Sequence, residues 1–334
     1  MAARDRVIAA RLLAWYDAGH RDLPWRRTRD PYRIWVAEIM TQQTRAQTAI
    51  PYYRKFLKRF PRVESVAAAP EDDVLALWSG LGYYSRARHL KRAAEQIVAA
   101  GGFPRDYEAI RALPGVGDYT AAAIASMAFG LPHAVVDGNV LRVMARVEND
   151  PADIASARTR TRFRAVAQGW LDGKRPGAFN QALMELGATV CLPRKPLCPV
   201  CPLASACRAR LAGAESQIPV KLRRREVERI QATLLVVRRG GKVLLHRRAV
   251  TAGRMPGFWE LPAPEDLPAA RAGKFLGEFR HSITHHRYTI QVRAASAPRL
   301  GEGFGWFSIE RLGEIPLSAT ARKALGLGQP APAG

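Results

Sequence analysis

Leu113-Pro114-Gly115-Val116-Gly117-Asp118-Tyr119-Thr120 is the stretch on which the reading of this chain turns. Ala121 to Phe129, which follows it, is a run of Ala, Ile, Ser and Met without a charge or a breaker, so it reads as a buried helix that starts at the glycines. Amides at the first turn of a helix point outward without partners, and glycines let a backbone approach closely, so the turn suits a phosphate oxygen. A Gly-x-Gly turn by itself equally fits a plain joint between helices. What raises it above a joint is Val136-Asp137-Gly138-Asn139, a carboxylate set among glycine and asparagine about twenty residues on.

The 334 residues exceed what one compact core usually holds, which favours two domains. Lys and Arg number 52 against 29 acidic residues, a net charge of +23, and such a surface draws a polyanion, nucleic acid above all. Both halves share the excess, with 32 basic against 19 acidic side chains in residues 1–210 and 20 against 10 in residues 211–334. No stretch is long and apolar enough to span a bilayer, and the N-terminus lacks a signal pattern, so a cytoplasmic protein with no membrane partner is expected. In a reducing compartment, crowded cysteines are metal ligands more often than disulfides. All four lie in Cys191-x6-Cys198-x2-Cys201-x5-Cys207, with Pro193, Pro196, Pro199 and Pro202 stiffening the turns. Four thiolates suit zinc or iron–sulfur alike, although one close pair with wide outer gaps favours a cubane cluster.

Helical patterns cover Arg6–Gly19, Tyr32–Ile50 behind Asp30-Pro31, Pro51–Phe60, Glu71–Trp78, Ser85–Ala100, Tyr107–Leu113, Asn139–Val147, Ala157–Leu171 and Asn180–Val190. Residues 211–229, with Pro219, Lys221, Arg223, Arg224 and Arg225, read as an interdomain linker. The period then becomes strand-like in 232–237 and 242–246, a hairpin about Gly240-Gly241, and again in 288–292 and 305–307. Ser318–Leu325 forms a closing helix, and the Pro/Ala/Gly tail 326–334 reads as disordered. Residues 1–210 thus form a mainly α domain and 230–325 a smaller α+β domain.

With these pieces in order, the chain resembles the helix-hairpin-helix DNA glycosylase superfamily, and within it the MutY-type adenine DNA glycosylases. The motifs that carry the resemblance are Leu23-Pro-Trp25, Trp35-Val-Ala-Glu-Ile-Met-Thr-Gln-Gln-Thr44, Trp78-Ser-Gly-Leu-Gly-Tyr-Tyr84, the hairpin, Val136-Asp-Gly-Asn139, Phe179-Asn-Gln181 and the four cysteines. The resemblance implies a six-helix barrel with a cluster domain, a [4Fe-4S] centre on Cys191, Cys198, Cys201 and Cys207, and a C-terminal Nudix-like module. It also implies a monomer whose substrate is duplex DNA with adenine opposite 8-oxoguanine. Bifunctional relatives of the endonuclease III type carry a Schiff-base lysine where this chain has Tyr119, which implies a monofunctional hydrolase.

Cleaving an N-glycosidic bond needs a proton for the departing base and negative charge beside the sugar cation. Glu38, on an apolar helix that raises its pKa, is expected to be the acid and the activator of water; Asp137 is expected to stay ionised beside the anomeric carbon. Tyr119 and Asn139 are expected to position that centre. Extruding the base costs a few kcal/mol, and Gln43 and Tyr83 match the family's wedge residues. Arg21, Trp25, Arg26 and Gln181 match its adenine pocket, while Leu113, Gly115, Val116 and Gly117 match its phosphate-gripping hairpin. Gly257-Phe-Trp-Glu-Leu-Pro262 marks the Nudix-like core without the acidic helix that hydrolysis needs, and Ile283, Thr284 and His285 align with the loop that probes the lesion, where the family commonly has Phe-Ser-His. His281, His285 and His286 suggest a metal only faintly, because no cysteine or carboxylate stands near them in sequence. Two alternatives are a bifunctional glycosylase/lyase and a non-catalytic lesion-binding or redox-sensing DNA module; the presence of both Glu38 and Asp137 argues for the hydrolase.

Overall fold

A computed structural model of the chain describes residues 3–222, 226–253, 255–283, 285–297 and 300–327. Thirteen α-helices follow in chain order: α1 (Ala3–Ala18), α2 (Pro31–Thr41), α3 (Ala46–Arg59), α4 (Val63–Ala68), α5 (Glu71–Trp78), α6 (Ser85–Ala99), α7 (Tyr107–Arg111), α8 (Asp118–Phe129), α9 (Gly138–Glu148), α10 (Ala157–Trp170), α11 (Pro176–Thr189), α12 (Arg208–Leu211) and α13 (Ala319–Leu327). Seven strands lie between the last two: β1 (Glu228–Val236), β2 (Arg238–Arg239), β3 (Lys242–Arg247), β4 (Trp259–Glu260), β5 (Arg271–Ile283), β6 (His286–Ser296) and β7 (Phe304–Ser308). The mainly α and α+β classes expected of the two halves are those observed. Two compact units result, Met1–Glu64 with Arg92–Arg224, and Ser65–Lys91 with Arg225–Gly334.

In the first unit the centre is made by helices that are apolar nearly all round, as buried helices are. α2 buries Tyr32 and every residue from Ile34 to Met40, and α8 buries Thr120 to Ser126. Asp30 caps α2, accepting from the Tyr32 amide at 2.9 Å, with Pro31 at the first position. A core of Leu12, Val135, Val143, Phe163, Trp170, Phe179 and Leu183 joins α1, α9, α10 and α11. The single helix expected over 32–50 is interrupted. α2 ends at Thr41, Gln43 takes a left-handed φ of 55°, and α3 runs from Ala46 through Pro51. The break is tied down locally, where the Thr41 hydroxyl donates to the Ala37 carbonyl at 2.8 Å, and by a tertiary contact in which the Gln42 side-chain amide reaches the Thr120 hydroxyl at 3.1 Å. Pro51, early in α3, forgoes one intrahelical bond without ending the helix.

The stretch expected as a linker is held by the first unit for more than half its length. Ile218 is buried, Arg146 donates to the Glu215 and Ile218 carbonyls at 2.9 and 2.8 Å, and the Ile154 amide donates to the Val220 carbonyl at 3.1 Å. Residues 223–225 and the tail 328–334 lie outside the described residues.

The second unit has two sheets. One is ordered β1-β6-β5, with β1 parallel to β6 and β5 antiparallel to it; the other joins β2, β3, β4 and β7 through β3. The Gly240-Gly241 turn is present, but only the two residues of β2 pair back onto β3, because the preceding long strand β1 belongs to the other sheet. α13 closes a core of Val236, Val243, Leu245, Leu261, Val292, Leu317, Ala321 and Leu325. Residues 65–91, although they precede the hairpin in sequence, pack here: Tyr84 lies against Phe258 with ring centroids 4.1 Å apart, the Ser79 hydroxyl donates to the Leu317 carbonyl, and Arg247 pairs with Asp72 at 2.8 Å.

Candidate active site

Glu38 sits on the fully enclosed face of α2, only 5 % exposed. Burial pushes its carboxyl up from 4.5 to about 7; the hydrogen bond from Tyr119 opposes that rise and the nearby Asp137 charge adds to it. The Tyr119 hydroxyl, on the first turn of α8, donates to Glu38 Oε2 at 2.7 Å and lies 3.2 Å from the Met184 sulfur. Asp137 is the N-cap of α9: its Oδ1 accepts from the Val140 amide at 2.7 Å and its Oδ2 from the Asn139 side-chain amide at 3.1 Å. Burial pushes the Asp137 carboxyl up from its ordinary value, and the donors from Val140 and Asn139 pull it back down. Those donors favour the ionised form expected of it; burial works against that form.

Asn139 is held in turn. Its Oδ1 accepts from Arg142 at 2.9 Å, and the same guanidinium reaches the Gly187 carbonyl at 2.6 Å and the Cys191 carbonyl at 2.8 Å. Helix α11 passes so close here that a Cβ on Gly187 would lie 2.8 Å from the Asn139 Cβ and 3.2 Å from its backbone. Gly187→Ala is therefore expected to destabilise the chain by about 1–3 kcal/mol and to slow catalysis by displacing Asn139. Urea unfolding alongside a single-turnover rate checks this, and unchanged values of both would refute it.

Next to this centre, Arg21 and Arg26 converge on Glu185, which is 2 % exposed. Arg21 donates to both Glu185 oxygens at 2.8 and 2.7 Å, and Arg26 donates to Oε2 at 2.7 Å. Burial alone would raise the Glu185 carboxyl, but the hydrogen bonds from Arg21 and then Arg26 outweigh it and hold it at about 2. Gln181, one turn before Glu185 on α11, accepts the Tyr16 hydroxyl at 2.6 Å, and the Arg26 guanidinium lies 5.5 Å from the Tyr16 ring centre. Trp25 is buried edge-on to Tyr53, with centroids 5.3 Å apart. Arg21 and Arg26 are thus joined through Glu185, and Arg26 and Gln181 through Tyr16, while Trp25 packs on Tyr53; Glu185, Tyr16 and Met184 are neighbours that the sequence did not single out. Glu185 was reachable in principle, since positions i and i+4 share a helix face and Gln181 was already a candidate.

In the hairpin, Gly115 has a φ of 75°, which only glycine adopts without strain, and Gly117 caps α8. Both glycines are exposed, while the Leu113 and Val116 side chains are buried and anchor the turn; any phosphate contact at this turn is made by backbone. Asp118 at the start of α8 is held low first by its hydrogen bond from Arg111, and Arg164 also reaches it at 2.7 Å. Gln43 occupies the break after α2. Tyr83, directly after Gly82, takes a φ of 50°, is 42 % exposed and has the Arg86 guanidinium 5.4 Å from its ring centre. Gln43 belongs to the first unit and Tyr83 to the second. Ile283 ends β5 and His285 precedes β6; Thr284 lies outside the described residues.

The four cysteines line one pocket with Val143, Leu186, Val190 and Leu203. Arg146 points a guanidinium at Cys191 Sγ from 3.3 Å, and the Cys207 thiol lies 3.4 Å from the Arg146 carbonyl. No three of the four sulfurs lie within 4.8 Å of one another. Four thiols about one pocket supply the ligand count of an iron–sulfur cluster and of a tetrahedral zinc site alike.

A helical unit with a glycine hairpin, followed by a carboxylate at a helix start, defines a helix-hairpin-helix glycosylase. Residues 36–168 match the HhH-GPD superfamily of base excision DNA repair proteins. The chain is 35 % identical over 396 residues to a mouse adenine DNA glycosylase, covering 95 % of this chain and 77 % of that one. It is 48 % identical over 218 residues to the human adenine DNA glycosylase, covering 62 % of this chain and 40 % of that one. Among solved structures, a thermostable thymine-DNA glycosylase superposes with a TM-score of 0.56 at 31 % identity, covering 63 % of this chain and 97 % of its own. Endonuclease III bound to DNA shares the fold, with a TM-score of 0.54 at 21 % identity over 64 % of this chain and 99 % of that one. The chain belongs to the adenine DNA glycosylase family and is a DNA glycosylase of base excision repair, an enzyme that breaks N-glycosyl bonds. No described helix is long and apolar enough to cross a membrane.

Proposed function

We propose that this enzyme hydrolyses the bond between adenine and deoxyribose where adenine is mispaired with 8-oxoguanine or guanine, and leaves the strand intact. One observation carries the reading: the side chain at position 119 is a phenol donating to Glu38 at 2.7 Å, where a lyase requires a free amine. Glu38, with a carboxyl near pH 7, holds a proton for a ring nitrogen of adenine and, once ionised, takes one from the attacking water. Asp137 faces the sugar as positive charge develops at the anomeric carbon, with Asn139 fixing its carboxylate. Arg21, Trp25, Arg26 and Gln181 wall the extruded base, Gln43 of the first unit and Tyr83 of the second each act as a wedge residue, and the hairpin backbone from Leu113 to Gly117 grips the phosphates.

In the same reading Ile283, Thr284 and His285 probe the base opposite, with Ile283 supplying less stacking surface than an aromatic residue. Cys191, Cys198, Cys201 and Cys207 hold a [4Fe-4S] cluster, which rigidifies a loop carrying Arg194, Lys195, Arg208 and Arg210 against the DNA backbone and takes no part in bond cleavage. The enzyme acts as a monomer on duplex DNA in the cytoplasm. Purified protein given duplex with adenine opposite 8-oxoguanine should yield abasic sites that break only on alkaline treatment, and Asp137→Asn should slow this by about a hundredfold or more. Nicking without alkali would replace the reading with a lyase, and intact substrate would leave a binding module.

A further inference from the structure

No acidic residue stands between His281 and His286 in sequence, yet the parallel pairing of β1 with β6 brings one beside them. Glu228 and His286 are Cα partners across that pair, and His286 Nε2 lies 3.0 Å from Glu228 Oε2. The Glu228 amide donates to the His285 carbonyl at 3.1 Å, which ties the start of β1 to the turn. The His285 and His286 rings lie with centroids 4.0 Å apart, tilted 36° to one another. One ligand atom from each of Glu228, His285 and His286 falls within 4.8 Å of the others.

We propose that Glu228, His285 and His286 form a divalent transition-metal site, of the zinc class, at the base of this hairpin. Two imidazoles and a carboxylate are the donor set of an open zinc site, which keeps its fourth position for water or an incoming ligand. Drawing three donors in to zinc's bond length of about 2.0–2.1 Å needs only side-chain rotation. The Glu228 side chain, 60 % exposed, has room for it. Side chains alternate across a sheet, so Arg229 and Arg287, partners in the next row, project from the opposite face. The row beyond, which shares the site's face, pairs His281 and Ile230 with Tyr288.

Bound metal would pin the turn between β5 and β6 and withdraw His285 from contact with DNA. The second of these consequences rests on the lesion-probing reading; binding of metal to the free protein does not. Titration of the full-length chain, as purified, with Zn²⁺ alone in a calorimeter should show one equivalent bound with micromolar affinity. Glu228→Gln and His286→Ala should each weaken it by at least about tenfold, and Glu228→Gln should leave base release without added zinc unchanged. Co²⁺ in place of Zn²⁺ should give a visible spectrum without a thiolate band. No uptake, uptake unaltered in both variants, or a thiolate band that places the metal at the cysteines would overturn the site. If zinc binds as described but leaves preference for adenine opposite 8-oxoguanine over adenine opposite guanine unchanged, the site stands and the role given to His285 falls.

Discussion

Replacing Glu38 by Gln is expected to slow base release by about 10³-fold while making the folded protein more stable above pH 7. The first effect follows from removing the only proton that the buried α2 face offers next to Tyr119 and Asp137. The second follows from the cost of ionising a carboxyl that is 5 % exposed. Its pKa is raised from 4.5 to about 7, so between those values the folded state holds a proton that the unfolded chain has released. Stability from this group is complete below pH 4.5 and is lost as pH rises through 7. The loss amounts to ~3 kcal/mol. Gln has no proton to lose and still accepts from Tyr119, so the advantage of Glu38→Gln over the parent should grow by that amount across the same window and then level off. Urea unfolding at a series of pH values measures it, and a difference independent of pH would refute the burial argument. The chemical step of the parent should decline about tenfold for each pH unit above 7, as the acid form disappears.

Glu185→Ala is expected to cost about 3–5 kcal/mol, enough to threaten folding. It strands two guanidiniums, that of Arg26 being 8 % exposed, around a cavity with no counter-charge. The dependence on pH runs opposite to that of Glu38. The Glu185 carboxyl is held at about 2 instead of 4.5, so its contribution is present above pH 4.5 and vanishes as pH falls through 2. The parent should therefore tolerate acid better than Glu185→Gln, which keeps the shape but not the charge, and the two should converge near pH 2. Circular dichroism during acid titration decides the matter: superimposable curves would mean that Arg21 and Arg26 are satisfied without Glu185. A Glu185→Gln protein that folds should also lose affinity for the adenine-containing duplex more than turnover of bound substrate, if the arginines it loosens wall the base as proposed, since they do not transfer protons.

What could be read in the sequence was what depends on neighbours in the chain. Gly115 and Gly117 announce a turn because backbone geometry at a glycine is local, and the Asp30-Pro31 start of α2 is likewise a signal confined to one turn of helix. Glu38 and Asp137 were legible because each lies inside a short motif. Glu185 had only its i+4 spacing from Gln181 to signal it, because the arginines that give it meaning are 164 and 159 residues away. The interruption of 32–50 has the same cause: Gln42 is tied to Thr120 across 78 residues, and no feature of its own surroundings says so. Residues 232–237 were read as one arm of a hairpin from their short-range pattern, with Glu228 left in the linker, and only the parallel partner β6 draws 228–236 into another sheet and sets Glu228 beside His286.

The packing of Ser65–Lys91 with Arg225–Gly334 bears on modularity. A recombination joint drawn at the basic stretch 223–225 looks natural on the linear chain, yet it would divide a single folded body, since Tyr84 and Ser79 find their partners in Phe258 and Leu317. A chimera that borrows a foreign C-terminal half must therefore import the stretch around Tyr83 as well. Tyr83 and the sheets of the C-terminal half are inherited as one cassette, although more than a hundred residues of other sequence separate them in the gene.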